Sequence, residues 1–342
     1  MKLAGPADTV STRVPQPQGA RIAGYAVALL LLLSLPFWAG AYAVSVVRAV
    51  GFHAVIAMGL VLLTGLAGQV SLGQAMFYGL GAYGSALLTM RAGLSPWAAI
   101  IVAAVITGLV AAFVGAAVLR LKGIIVAGVT LTVNLIFYYL AMSLSDLTGG
   151  ATGLNQIPRL PHPGGISYSA FVYIVVWLLV VLVLVFSLNI SRTRTGRALR
   201  AVNVLAGGSE ETAQVLGIDT RRCKVGAFVI AAVFASVAGS VYAHFTSVIE
   251  PGTFGVQLSV LVAIMAVIGG VTSPWGALIG SALMIGITEF LREVAPIVLG
   301  GPTGAYELVA YGVILVATLL FLPEGLFSLP SRMSLRRKRG SL

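Results

Sequence analysis

The chain has 342 residues, a formal net charge of +11 and one cysteine, with 58% hydrophobic residues and only 9% Asp, Glu, Lys and Arg, where soluble domains carry roughly 25%. With a mean hydropathy of +1.02, this composition excludes a water-soluble globular domain, and lone Cys223 excludes an intrachain disulfide or a thiolate metal site. The basic excess falls in loops beside apolar runs, so a positive-inside bias accounts for it better than nucleic-acid binding does.

Residues 1–21 are polar, with too many Pro and Gly for a signal-peptide leader. They read as a disordered cytoplasmic tail ahead of a retained first span. A helix needs about 20 apolar residues to cross a bilayer. Ten runs qualify, at 22–43, 46–66, 74–90, 96–119, 123–143, 168–188, 225–247, 255–269, 275–292 and 305–322. The expected fold is therefore an all-α polytopic membrane protein. Its permease domain covers 22–327, with an outer loop at 145–167, a cytoplasmic loop at 191–224 and a basic cytoplasmic tail at 328–342. With the N-terminus inside, seventeen of the 21 Lys and Arg fall on the inner side, leaving Arg48, Arg91, Arg159 and Arg292 outside. One missed span would invert every later loop, so this split supports ten spans with both termini cytoplasmic. Eight is the alternative if two short segments are re-entrant.

Two glycine-broken stretches occupy comparable places in the two halves, Gly65-Leu-Ala-Gly-Gln-Val-Ser-Leu-Gly-Gln74 and Gly269-Gly-Val-Thr-Ser-Pro-Trp-Gly276. Paired interruptions of this kind point to two related halves around a central pathway. In the first, Gln69, Ser71 and Gln74 are polar groups beside a helix break; Thr130 and Asn134 stand at i, i+4, with Tyr138 one turn on. Lining of a solute pathway and hydrogen bonding between packed helices both fit these residues. Gly276 and Gly280 are spaced for close helix packing.

No catalytic or cofactor-binding constellation is present. The phosphate-cradling Gly-x4-Gly-Lys-Ser/Thr motif is missing, and His53, His162 and His244 lack metal-ligand spacing. Glu289, the one acid placed for a buried proton relay, stands at i, i+3 from Arg292, which reads as a local ion pair. The energy for transport is thus expected from another subunit.

The stretch 191–224 carries seven Lys and Arg between two uncharged runs, which sets it in water on the cytoplasmic side. Arg192, Arg194, Arg197 and Arg200 suit topology and anionic lipid. Beyond them, Ser209 is an N-cap candidate, Glu210 and Glu211 fall in the first turn, and Gly217 ends the segment. A short capped helix between two spans is a docking element for a soluble partner.

At these residues the chain resembles the permease subunits of branched-chain amino-acid ABC importers, the longer of the two paired permeases, over about 44–327. The resemblance rests on Gly68-Gln-Val-Ser-Leu-Gly-Gln-Ala-Met-Phe77 with Gly81-Ala-Tyr83, and on Thr148-Gly-Gly-Ala-Thr-Gly-Leu154 with Ile157-Pro158. Arg194-Thr-Gly-Arg-Ala-Leu-Arg200, Gly269-Gly270 and Phe321-Leu-Pro-Glu-Gly-Leu326 add to it. The family's coupling pattern, Glu-x-Ala-Ala-x3-Gly, stands here as Glu210, Thr212, Ala213 and Gly217. The resemblance implies ATPase coupling through Arg197, Arg200, Ser209, Glu210, Glu211, Thr212, Ala213, Gly217 and Ile218; the residues themselves, as polar side chains in otherwise apolar segments, give an expected substrate pathway lined by Gln69, Ser71, Gln74, Thr130 and Asn134. The resemblance further implies a non-catalytic subunit without cofactor in a bacterial cytoplasmic membrane. The implied partners are a second homologous permease, two ABC ATPases, an extracytoplasmic solute-binding protein and membrane lipid, with no nucleic acid. The link from 203 to 209 is about four residues longer than the family's and lacks its arginine, which shifts the expected ATPase contacts. Relatives of this type serve urea, short amides and aromatic acids as well as leucine-like amino acids. A stand-alone carrier or facilitator is the alternative function.

Overall fold

A computed structural model describes residues 30–121, 123–203, 208–299, 303–321 and 326. The expected tails, 1–21 and 328–342, and the centre of the lengthened link lie outside the described residues. Nine helices of fourteen residues or more dominate the described chain: α1 (Ala41–Val61), α2 (Gln74–Ala92), α3 (Pro96–Val118), α4 (Ile124–Ser143), α5 (Tyr168–Arg192), α8 (Thr220–Thr246), α9 (Val256–Gly269), α10 (Pro274–Leu299) and α11 (Thr303–Phe321). Two short helices, α6 (Arg194–Val202) and α7 (Glu210–Val215), sit between α5 and α8. The protein is an all-α polytopic membrane protein.

Seven of the described helices are long and apolar enough to cross a membrane, where the sequence led us to expect ten spans. α2 is not among them, because its Gln, Gly, Tyr and Ser dilute the hydropathy, yet it packs in the centre of the bundle against α3 and α8. The first expected span is described only from residue 30, where a helical end passes into a 3-10 turn at Leu35–Phe37. The next helix begins at Ala41 rather than 46, since Gly40 takes up the extended conformation of an N-cap. At the other end of the bundle, α8 starts at Thr220, so Arg221, Arg222 and Lys224 belong to the helix and not to a loop. The Asp219 carboxylate caps it by accepting from the Arg222 N–H at 3.0 Å.

Lipid-facing stripes follow helical periodicity. On α3, Ile101, Val105, Leu109 and Phe113 recur every fourth residue and are all exposed; on α5, Leu178, Leu182, Val185 and Phe186 are exposed at i, i+4, i+7 and i+8. Exposed apolar stripes of this kind suit contact with lipid tails or with another membrane subunit.

α8 is the axis of the bundle. Its Ala231, Ala232, Ala235, Ser236, Ala238, Gly239 and Ser240 are buried, so neighbouring backbones can approach closely. A Cβ on Gly239 would fall inside the carbonyl oxygen of Tyr78, and one on Gly81 inside that of Ser236. Hydroxyls tie the crossing: Ser240 Oγ donates to Gly81 O at 2.9 Å, and Ser236 Oγ to Thr107 Oγ1 at 3.0 Å. Gly276 and Gly280 likewise lie against the backbones of Gly269 and Met265, the close packing expected of them.

The 145–167 region is ordered by contact with the far end of α8. It forms a helical turn at Ser145–Thr148, a 3-10 turn at Gly150–Thr152 and a strand β1 (Leu154–Asn155). β1 pairs antiparallel with β2 (Val248–Ile249), immediately after α8. The His244 Nδ1–H donates to Pro158 O, and the Tyr168 hydroxyl donates to His244 O, both at 2.7 Å.

Candidate functional site

The candidate docking helix α7 is built by its own end signals. Ser209 Oγ accepts from the Thr212 N–H at 3.3 Å, and Glu210 and Glu211 occupy the first turn. At the other end Gly217 has φ +80°, its N–H reaches Gln214 O at 2.9 Å, and the Ile218 N–H reaches Ala213 O at 3.0 Å. That pair of bonds is a Schellman termination.

What braces so short a helix is the salt bridge of Glu210. Its Oε2 lies 2.7 Å from Lys224 Nζ on α8, and its Oε1 accepts from Thr220 Oγ1 at 3.5 Å. Lys224 is only 3% exposed, and Gln214 Nε2 adds a bond to Thr220 at 3.2 Å. Ala213 is buried beneath the helix, while Glu211, Thr212 and Gln214 face water. Two apolar residues stand out from the tip: Val215 is 88% exposed and Leu216 73%. Unlike the stripes on α3 and α5, they sit in the charged segment between α5 and α8.

Arg197 and Arg200 face a different task. The Arg197 guanidinium donates to Arg192 O at 3.0 Å, and that of Arg200 donates to Ser191 O. Both therefore close the carbonyl end of α5, where cations are favoured, while Leu199 and Val202 bury the other face of α6.

The two glycine-broken stretches meet. α1 ends in a π turn at Leu62–Leu66, and Gly65 lies so close to Val271 O that no Cβ fits between them. Buried Asn203, at the end of α6, completes the junction: its Nδ2 donates to Gly65 O at 2.8 Å, and its side chain fills the space beside Gly68, which has φ +66°. The interruptions and the end of α6 are thus one joined structure.

All five expected pathway residues are buried, and the 69–74 turn packs on α4 at Thr130. The Thr130 hydroxyl accepts from the Leu72 N–H at 3.0 Å and donates to Ala127 O at 3.0 Å. Thr64 Oγ1 donates to Gln69 O at 3.2 Å, and Ser71 Oγ accepts from the Gly73 N–H at 3.3 Å. These contacts are local glue. Gln74 and Asn134 differ: they are 1% and 0% exposed, and none of their four amide atoms has a hydrogen-bond partner among the described residues. An orphaned buried polar atom costs about 1–3 kcal/mol, so these two amides call for a partner, water included, beyond the described residues. Glu289 and Arg292 form the expected local pair, Oε1 to Nη1 at 3.4 Å, and no cluster that could hold a metal exists among the described residues.

Sequence reasoning missed Asn203, Lys224, Val215 and Leu216. Lys224 was counted only as a topology charge, and nothing in the sequence of a six-residue helix states which of its apolar residues protrude.

The comparisons with known proteins agree with this arrangement. A family model described as the permease component of the branched-chain amino acid transport system matches residues 42–319. The chain is similar to the high-affinity branched-chain amino acid transport system permease protein LivM of Escherichia coli K12, at 29% identity over 93% of this chain and 77% of that protein. It is similar to LivH of the same organism, also a permease protein of a high-affinity branched-chain amino acid transport system, at 33% identity over 46% of this chain and 47% of that one. The L-arabinose transport system permease protein AraH of E. coli K12 is 30% identical over 43% of each chain. A multi-pass bundle with a capped helix braced against its central span, matched by this model over most of its length, belongs to the family of branched-chain amino acid transport system permease components and is the membrane permease subunit of an ABC importer.

Proposed function

We propose that this chain imports branched-chain amino acids, or a related small polar or carboxylate solute, driven by two ATPase subunits that grip α7. It carries no catalytic activity of its own. The supporting observation is the exposed Val215–Leu216 tip on a helix fixed to α8 by a buried ion pair: an apolar tip held rigidly in water fits a cleft in a soluble partner. A second permease completes the pathway, and a solute-binding protein meets the outer surface formed by 145–167 and the Glu250–Gly252 turn, which the β1–β2 pairing brings side by side. The chain lies in a bacterial cytoplasmic membrane with ten spans and both termini inside. Closure of the ATPases moves α7 and α8 and rocks the bundle in alternating access. Reconstitution into liposomes tests this reading. Uptake of leucine is expected only when ATP, the ATPases, the second permease and the binding protein are all present, and full-rate uptake by the purified chain alone would refute it.

Gln74 and Asn134 are the residues of the expected pathway set best suited to meet a solute, because their amides are buried and unpaired. Gln69, Ser71 and Thr130 shape the same region. Gln74→Leu and Asn134→Leu are expected to lower uptake severalfold while the melting temperature holds or rises, since each removes an unsatisfied polar group. Loss of uptake in proportion to loss of thermal stability would assign them to packing instead.

A further inference from the structure

Asn203 joins two parts of the chain that are far apart in sequence. It is 1% exposed and stands at the C-terminal end of α6. Its backbone carbonyl accepts from the Gly208 N–H at 2.9 Å, so the two ends of the link ahead of α7 lie together. Gly208 is close against α6, since a Cβ there would fall 2.5 Å from Ala201 O, and the next residue, Ser209, caps α7. The Asn203 side chain reaches the break that ends α1. Its Nδ2 donates to Gly65 O at 2.8 Å, and a Cβ on Gly68 would lie 2.5 Å from its Oδ1. That break is irregular: a π turn at Leu62–Leu66, φ +66° at Gly68, and a Gln69 N–H that reaches back to Leu63 O at 3.3 Å. Such interruptions let a backbone shift without dismantling the helices on either side. Beyond it the Leu72 N–H donates to Thr130 Oγ1 on α4, and the Ala75 N–H to Ser259 Oγ on α9, both at 3.0 Å.

We propose that Asn203 is a positioning residue for transport: it ties the start of α7 to the Gly65–Gln74 turn, so that a movement of α7 displaces the turn that carries Gln69, Ser71 and Gln74. The inference rests on the import reading above and adds to it the joint by which the ATPase contact reaches the expected pathway. It is a second attachment of α7, separate from the Glu210–Lys224 bridge. The bridge leads into α8, whereas Asn203 leads into the end of α1 and the start of α2. An amide suits the position, because one end donates to Gly65 O and the other is an acceptor beside Gly68. A carboxylate would set acceptor against acceptor at Gly65 O, and an aliphatic side chain would leave that contact without a bond. On its other side Gly65 meets Val271 O with no room for a Cβ. It is therefore clasped between Asn203 and the second glycine-broken stretch, and a displacement delivered there is not lost in loose packing.

The test uses the complete complex, with its second permease, ATPases and binding protein, in liposomes, and reads labelled leucine taken up per ATP hydrolysed. Poor insertion lowers both quantities together and leaves their ratio unchanged, so the ratio reports coupling and not the amount of folded protein. Asn203→Leu, similar in shape but unable to bond Gly65 O, is expected to lower the ratio about tenfold while the ATPases still co-purify. Gly208→Ala should do the same by prising the start of α7 from α6 with Asn203 intact, and it decides the matter where Asn203→Leu fails to fold. Gly68→Ala should lower the ratio in the wild type and add little in the Asn203→Leu background, since both act on one joint. A wild-type ratio in either Asn203→Leu or Gly208→Ala overturns the inference, as does a full additional loss when Gly68→Ala is added to Asn203→Leu. A wild-type complex that takes up no leucine removes the import reading and this inference with it; normal uptake with ratios that the variants leave unchanged removes the inference alone.

Discussion

Replacing Val215 and Leu216 together with Asp is expected to abolish co-purification of the ATPase subunits and all ATP-driven uptake, while the permease still inserts and melts normally. Burying a side chain of this size contributes about 1.5–3 kcal/mol, so the two supply about 3–6 kcal/mol of docking energy, or two to four decades in Kd. The substituted carboxylates add a desolvation cost in the partner's cleft. Within the isolated chain neither side chain has anything to lose, since both project into water. Pull-down of the ATPases by the detergent-solubilised variant measures the effect. Retention of the ATPases at wild-type level would show that this tip is not the contact.

Glu210→Gln is expected to damage coupling more than Lys224→Met, although the two remove the same salt bridge. The reason is burial: the Lys224 side chain is 4% exposed and that of Glu210 25%. Losing the carboxylate leaves an ammonium inside the protein without its counter-ion, a situation that costs about 3–5 kcal/mol when a buried pair is broken. Losing the ammonium leaves a carboxylate that can turn to water. In Glu210→Gln, α7 should detach from α8, so that the ATPases bind but hydrolysis no longer drives uptake. The exchange variant carrying Glu210→Lys with Lys224→Glu should recover part of the transport. Equal effects of the two single variants, or no recovery in the exchange, would mean that the pair is not the brace.

Much of the fold was legible because membrane helices announce themselves locally. Apolar length and flanking charge located the long helices, and Ser209, the two glutamates and Gly217 defined α7, whose cap and Schellman bonds are formed as those residues require. What escaped was whatever depends on a partner distant in sequence. α1 begins at Ala41 because of the backbone at Gly40, and α2 packs centrally despite its modest hydropathy because Gly81 lets the α8 backbone in. Polar residues in the 69–74 turn and on α4 were visible as exceptions in apolar segments. That Thr130 would serve as glue while Gln74 and Asn134 stay unpaired depends on how the turn folds onto α4. Similarly, Glu210 reads as a helix-dipole charge until Lys224, fourteen residues on, comes round to meet it.

α8 has 27 residues and so is about 40 Å long, with the His244–Pro158 latch and the β1–β2 pairing near one end and the Lys224–Glu210 bridge near the other. A packed α-helix barely shortens or stretches under load. On the coupling proposed above it would act as a push-rod, and a displacement applied at one end would arrive at the other with the same sign. On that proposal no sequence of side-chain rearrangements would be needed to carry news of a loaded solute inward or of bound ATP outward. On that reading the two events are linked as the ends of one rod are, and any hinge introduced midway along α8 would let each end move while the other stands still.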